Sequence, residues 1–114
     1  MLKKTAVAIK LLQKRLPISR MYTILRTKSF ERSYKKLKES GIKKQVIEDL
    51  KSIIDTLASA KPLSAKHHDH KLAGHFAGYR ECHVRPNLLL VYQIDHGNLV
   101  IILVDIGSHP YLFG

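Results

Sequence analysis

Gly78-Tyr-Arg-Glu-Cys-His83-Val-Arg-Pro-Asn87 runs directly into Leu88-Leu-Leu-Val-Tyr-Gln-Ile94. The link Asp95-His-Gly-Asn98 then leads to Leu99-Val-Ile-Ile-Leu-Val-Asp-Ile106. This stretch reads as three consecutive strands. Strand alternation over 79–85 places Tyr79, Glu81, His83 and Arg85 on one face and Arg80, Cys82 and Val84 on the other. The runs from Leu88 and Leu99 are apolar on both faces, as central strands are when helices cover one side and the other is partly covered. Gly97-Asn98 suits the positive-φ positions of a hairpin link.

Upstream, Met21-Tyr-Thr-Ile-Leu-Arg26 reads as an opening strand. Phe30, Tyr34 and Leu37 recur at helical spacing and predict a helix from Ser29 to Ser40, stopped by Gly41. Val46, Ile47, Leu50, Ile53, Ile54 and Leu57 form a broad apolar stripe, predicting a second helix from Lys43 to Ala60. The order strand, two helices, three antiparallel strands is an α+β fold, with a helical hairpin on one face of the sheet. The lysines of both helices read first as a solvated surface and second as a nucleic-acid rim. Between Lys61 and Gly78 periodicity is lost and a loop is expected, with a short irregular strand near Leu72. Loops of this length often carry function. His67-His68-Asp69-His70 has metal-binding residue types, but adjacent histidines on a loop make a poor preorganised site, so no metal or other cofactor is expected.

A chain of 114 residues with 45% hydrophobic content allows one domain and one core. Its formal charge of +11 points to a polyanionic partner, either nucleic acid or an acidic protein. The single cysteine, Cys82, excludes an intrachain disulfide and a multi-cysteine zinc site and fits a reducing cytoplasm. A Cys82–His83 catalytic pair is improbable, because successive strand residues point to opposite faces. No apolar run is long enough to span a membrane. In residues 1–20, Leu2, Ala6, Ile9, Leu12 and Leu16 share one arc of a helix, with Lys3, Lys4, Lys10, Lys14 and Arg15 opposite, until Pro17. This basic amphipathic segment is read as an extension of a domain spanning 21–114. It either packs on that domain or serves at a membrane surface or on RNA. Lys10 and Lys14 argue against a secretory signal.

The ordered set His70-Lys-Leu-Ala-Gly74, Gly78 to Asn87, Leu90-Val-Tyr-Gln-Ile94, Gly107-Ser-His109 and Leu112-Phe113-Gly114 closely resembles the YafQ branch of the RelE/ParE toxin superfamily. The resemblance covers roughly residues 21–114. It implies a small sheet backed by two helices, and a toxin of a type II toxin–antitoxin system that cleaves mRNA on the ribosome. It also implies a cognate antitoxin, of DinJ/RelB type, whose acidic segment folds on the toxin, with operator DNA reached only through that antitoxin.

By the same resemblance His70, His83, His109 and Phe113 occupy the branch's functional positions. Metal-free RNA cleavage needs a base for the 2′-hydroxyl, an acid for the leaving 5′-oxygen and positive charge at the phosphate, and histidine can fill all three roles near neutral pH. His109 is assigned as general acid, and His70 or His83 as base or phosphate stabiliser. Phe113 is placed to stack on a base, and Arg80 and Arg85 are candidate RNA contacts. Asn87 stands where the branch usually has an acidic residue, and an amide cannot take a proton in this range. Leu88 stands where an aromatic is common. The alternative is a ParE-like toxin acting on a protein target, or an inactive antitoxin-binding and DNA-autoregulating partner.

Overall fold

The structure is a computed structural model that describes residues 21–114, so the helix expected in residues 1–20 lies outside the described residues. Five strands form one sheet in the order β1-β5-β4-β3-β2. They are β1 (Thr23–Arg26), β2 (His70–Lys71), β3 (Arg80–Arg85), β4 (Leu88–Asp95) and β5 (Val100–Gly107), with helices α1 (Lys28–Glu39) and α2 (Lys44–Ala58) between β1 and β2 and a closing one-turn helix α3 (His109–Phe113). The α+β class and strand-helix-helix-strands order are as expected. Two additions come from long-range pairing: β1 runs parallel to β5, and the two-residue β2 joins the free edge of β3.

α1 begins where Thr27 caps it. The Thr27 hydroxyl accepts from the Phe30 amide at 3.0 Å and donates to the Val104 carbonyl at 2.6 Å, fixing the helix start to β5. Ser40 ends the helix and Gly41 follows at φ +79°, the left-handed conformation expected of a glycine stop. The hairpin link departs from expectation. Neither Gly97 nor Asn98 takes positive φ; Leu99 does, at φ 54°, because the Asp95 carboxylate accepts from both the amide and the side chain of Asn98 and sets the turn.

Alternation along β3 and β4 divides the sheet's two faces. Cys82, Val84, Leu88, Leu90 and Tyr92 join Phe30 of α1 and Leu50, Ile53, Leu57 and Ala58 of α2 in one core. Glu81 and His83 stand opposite Val91 and Leu89 on the second face, where Leu89 and Val91 are themselves buried. Cys82 is fully buried, and burial pushes its thiol up to about 12, which makes it an inert core residue.

The irregular segment after α2 is tied to this core at three points. His67 Nδ1–H donates to the His83 carbonyl at 2.7 Å, β2 pairs with Arg80 and Glu81, and Asp69 accepts hydrogen bonds from the Tyr92 hydroxyl and, at 3.1 Å, from Arg80 Nη2. Tyr92 has no exposed surface, and its hydroxyl also accepts from Arg80 Nε at 3.3 Å.

Tyr92→Phe should therefore cost about 1–3 kcal/mol, read as a lower urea midpoint at unchanged slope. Burial holds Tyr92 and Cys82 neutral by raising both pKa values, so their contribution is complete below the unfolded-state values of roughly 8.5 and 10 and is lost as pH rises beyond them. The urea midpoint should fall above about pH 8.5, and less steeply in Tyr92→Phe. A midpoint independent of pH up to 10.5 would contradict the assignment.

Candidate active site

Strand pairing brings His70 and His83 to one part of the sheet and leads from there to His109. His70 on β2 pairs in register with Glu81 on β3; His83 pairs with Leu89 on β4; and Leu89 pairs with Gly107 on β5, two residues before His109. Two strand spacings, about 10 Å, separate the His83 and Gly107 backbones, with the buried Leu89 between them. The candidates thus form two banks along the strand order, His70 and His83 on β2 and β3, and His109 with Phe113 on α3 after β5.

On the first bank a carboxylate sits between two imidazoles. Glu81 Oε1 lies 3.6 Å from His83 Nε2 and 3.9 Å from His70 Nε2. The Glu81 side chain is 7% exposed, against 29% for His83 and 50% for His70. A largely buried carboxylate thus stands within reach of two imidazole nitrogens, one half-exposed and one partly buried. His70 Nδ1 stands 2.6 Å from the His68 carbonyl. A carbonyl only accepts, so Nδ1 carries the hydrogen and neutral His70 presents a basic lone pair at Nε2. The sequence reading missed Glu81, although alternation had already placed it on the face of His83.

On the second bank, Ser108 caps α3 by accepting from the Tyr111 amide at 3.2 Å, and Pro110 sits in the first turn. The expected C-terminal tail is thus a helical turn, too short for periodicity to show. It sets the exposed His109 ring 5.1 Å from Phe113. Phe113 packs edge-on against Phe76 with ring centroids 4.9 Å apart. Phe76 is a second residue the sequence reading missed, a lone exposed aromatic in a loop with no periodic neighbours. α3 is held by Tyr111, whose hydroxyl is 2.9 Å from Ser33 Oγ, while Ser33 donates to Asp105 at 2.6 Å. Gly107 is required here, since a β-carbon on it would lie 2.4 Å from the Tyr111 ring.

The remaining candidates are placed as follows. Asn87 is exposed in the β3–β4 turn. Arg80 is paired with Asp69 and Tyr92. Arg85, beyond a bulge in β3, pairs with Asp49 of α2 at 2.5 Å. In the histidine-rich loop, His67 turns to the His83 carbonyl, Asp69 to Tyr92 and His70 to the His68 carbonyl, so these neighbouring groups diverge. Among the described residues no group of three or more histidine, cysteine or acidic side chains is arranged to hold a metal ion.

The chain resembles proteins of known kind. The mRNA interferase toxin YafQ of Escherichia coli K12 is 38% identical over 53 residues, which is 46% of this chain and 55% of that protein. The chain thus spans about half the length of the curated relatives it matches. Among solved structures, a metal-bound toxin from Helicobacter pylori is 40% identical, with a TM-score of 0.73 over 82% of this chain and 100% of that one. YafQ in the E. coli DinJ–YafQ toxin–antitoxin complex is 26% identical, with a TM-score of 0.72 over 82% of this chain and 99% of that one. The profile of the bacterial type II toxin–antitoxin toxin YafQ matches residues 22–114, and the chain belongs to that family.

Proposed function

We propose that this protein is an mRNA interferase: a cytoplasmic, metal-independent endoribonuclease that cuts message in the ribosomal A site and is neutralised by a cognate antitoxin. The observation that carries this reading is Glu81 flanked by His70 Nε2 and His83 Nε2, with His109 beside Phe113 on α3 and Phe113 in contact with Phe76 of the β2–β3 link. His70, with its proton fixed on Nδ1, takes the 2′-hydroxyl proton at Nε2. The 2′-oxygen attacks phosphorus, giving a 2′,3′-cyclic phosphate and releasing the 5′-oxygen, which is protonated by His109. His83 donates to the phosphate oxygens and is held over Glu81. Phe113, braced by Phe76, stacks on a base and keeps the scissile bond in line. The relatives named mRNA interferase support the activity, and the E. coli complex supports an antitoxin partner. With a charge of +11 on the chain, an acidic antitoxin segment is the electrostatic complement.

Asn87 bears on an inactive or ParE-like alternative, since the turn it occupies holds an amide in place of a carboxylate. Glu81 supplies a carboxylate within the cluster itself, so histidine chemistry proceeds without one at position 87.

His109→Ala should lower ribosome-dependent cleavage about 10²–10⁴-fold and abolish growth arrest. Its exposed ring leaves no cavity, so stability should change by no more than about 0.5 kcal/mol. Wild-type cleavage in this variant would remove His109 from the mechanism. Asn87→Asp should alter single-turnover cleavage by no more than about tenfold, or ~1.4 kcal/mol, while Glu81→Gln, which keeps shape but removes charge, should lose more than that. Restoration of an inactive parent by Asn87→Asp would instead establish that residue 87 must be the base. Intact message in the presence of wild-type protein, with DNA supercoiling halted, would favour the ParE-like reading.

A further inference from the structure

His83 also borders a cleft of about 610 Å³ between the end of β3, α2 and the turn Ala65–His67. This volume is in the range of small-molecule and nucleotide pockets. Its floor is apolar, formed by Ile53 and Val84, both buried, with Pro86 at the rim. Around the floor stand Lys66, His67, His68, His83 and Arg85, with Asp49 the single carboxylate in the lining. Asp49 is bonded by Gln45 at 3.0 Å and by Arg85 at 2.5 Å, so its charge is cancelled within the wall. Lys66 is an exposed cation on the rim, close enough to Asp49 to help hold that carboxyl below its ordinary range. His67 Nδ1–H is committed to the His83 carbonyl, which leaves Nε2 as its free nitrogen. His68 meets His83 edge to face, with ring centroids 5.5 Å apart, in the lining of the cleft.

An apolar floor with a cationic, imidazole-rich rim complements a nucleotide, which presents a flat base and an anionic phosphate. We propose that this cleft binds the nucleotide of the message adjoining the scissile phosphate, with His83 shared between the two sites. Lys66 meets that nucleotide's phosphate, and its base lies over Ile53 and Val84 between His68 and Pro86. The proposal rests on the endoribonuclease reading for the identity of the RNA, while the binding chemistry stands without it.

The test uses the full chain and a non-cleavable trinucleotide, 2′-O-methylated at each sugar, followed through the imidazole resonances. Expected are shifts of His67 and His68 on titration and weaker binding in Lys66→Ala, weaker still in Lys66→Glu, with recovery in Lys66→Arg. Loss of one phosphate contact should also reduce the slope of log affinity against log salt by roughly 0.7 in Lys66→Ala. On programmed ribosomes Lys66→Ala should raise KM with kcat unchanged, the opposite of His109→Ala. Unmoved His67 and His68 resonances, or trinucleotide affinity indifferent to the charge at position 66, would overturn the proposal. So would weaker binding of Lys66→Ala to vacant ribosomes with trinucleotide affinity unchanged, since the cleft would then hold ribosomal RNA. Trinucleotide binding by a wild-type protein that cleaves nothing would sink the nuclease reading and leave the cleft as a nucleotide site.

Discussion

A buried phenol holding a carboxylate is the constraint on which the site's construction depends. Residues 61–79 bring little periodic structure and little apolar surface of their own, so burial alone does not fix their path. Tyr92, at the centre of β4 and wholly enclosed, supplies the fixed point: its hydroxyl donates to Asp69, and Arg80 closes the triangle. In that low-dielectric setting each group would be costly if left alone, and together they satisfy one another. Asp69 is flanked by His68 and His70, so the same bond that pins the loop delivers one histidine to each site: His70 to Glu81, His68 to the cleft.

The other bank is fixed by an independent device. α3 is a single turn and cannot hold itself, since a helix so short gains too few backbone bonds to offset nucleation. Its position comes from side chains: the Ser108 cap, the close seat of Tyr111 on Gly107, and the Tyr111–Ser33–Asp105 chain that reaches to α1. β1 stops pairing with β5 at Arg26–Leu103, and α1 closes the strand edge beyond that point through Thr27 and Ser33. β5, which leads to His109, is thus bounded by the helix that follows β1, linking residues more than seventy positions apart.

These two devices account for what could and could not be read from the amino-acid sequence. Alternation over Tyr79–Arg85 and the apolar runs after it revealed the central strands, because pleat and burial act on neighbouring residues. It also carried Glu81 onto the face of His83, although the cluster becomes evident only once β2 brings His70 alongside. The parallel partnership of β1 with β5 has no local signature, since its register is settled by the packing of the intervening helices. α3 is shorter than the period that would reveal it, while the short strand expected near Leu72 is β2, at His70–Lys71. Phe76 acquires meaning only through Phe113, which reaches it from the opposite end of the fold.

The positive charge is also less freely available than composition suggests. Arg80 and Arg85, the arginines nearest the histidines, are each committed to a carboxylate, Asp69 and Asp49. A guanidinium forks well onto a carboxylate or a phosphate, and here both forks are used to fasten the loop to the sheet and β3 to α2. On the proposed reading, long-range attraction of RNA falls to the lysines, whose strongly hydrated point charges steer without imposing geometry. Close to the phosphate, the same reading leaves the charge to imidazoles, which unlike arginine can release a proton and take it back. In the proposed endoribonuclease that division of labour, with arginine as fastener, lysine as attractor and histidine as reagent, would let one small basic chain draw in a polyanion and still do reversible proton chemistry on it.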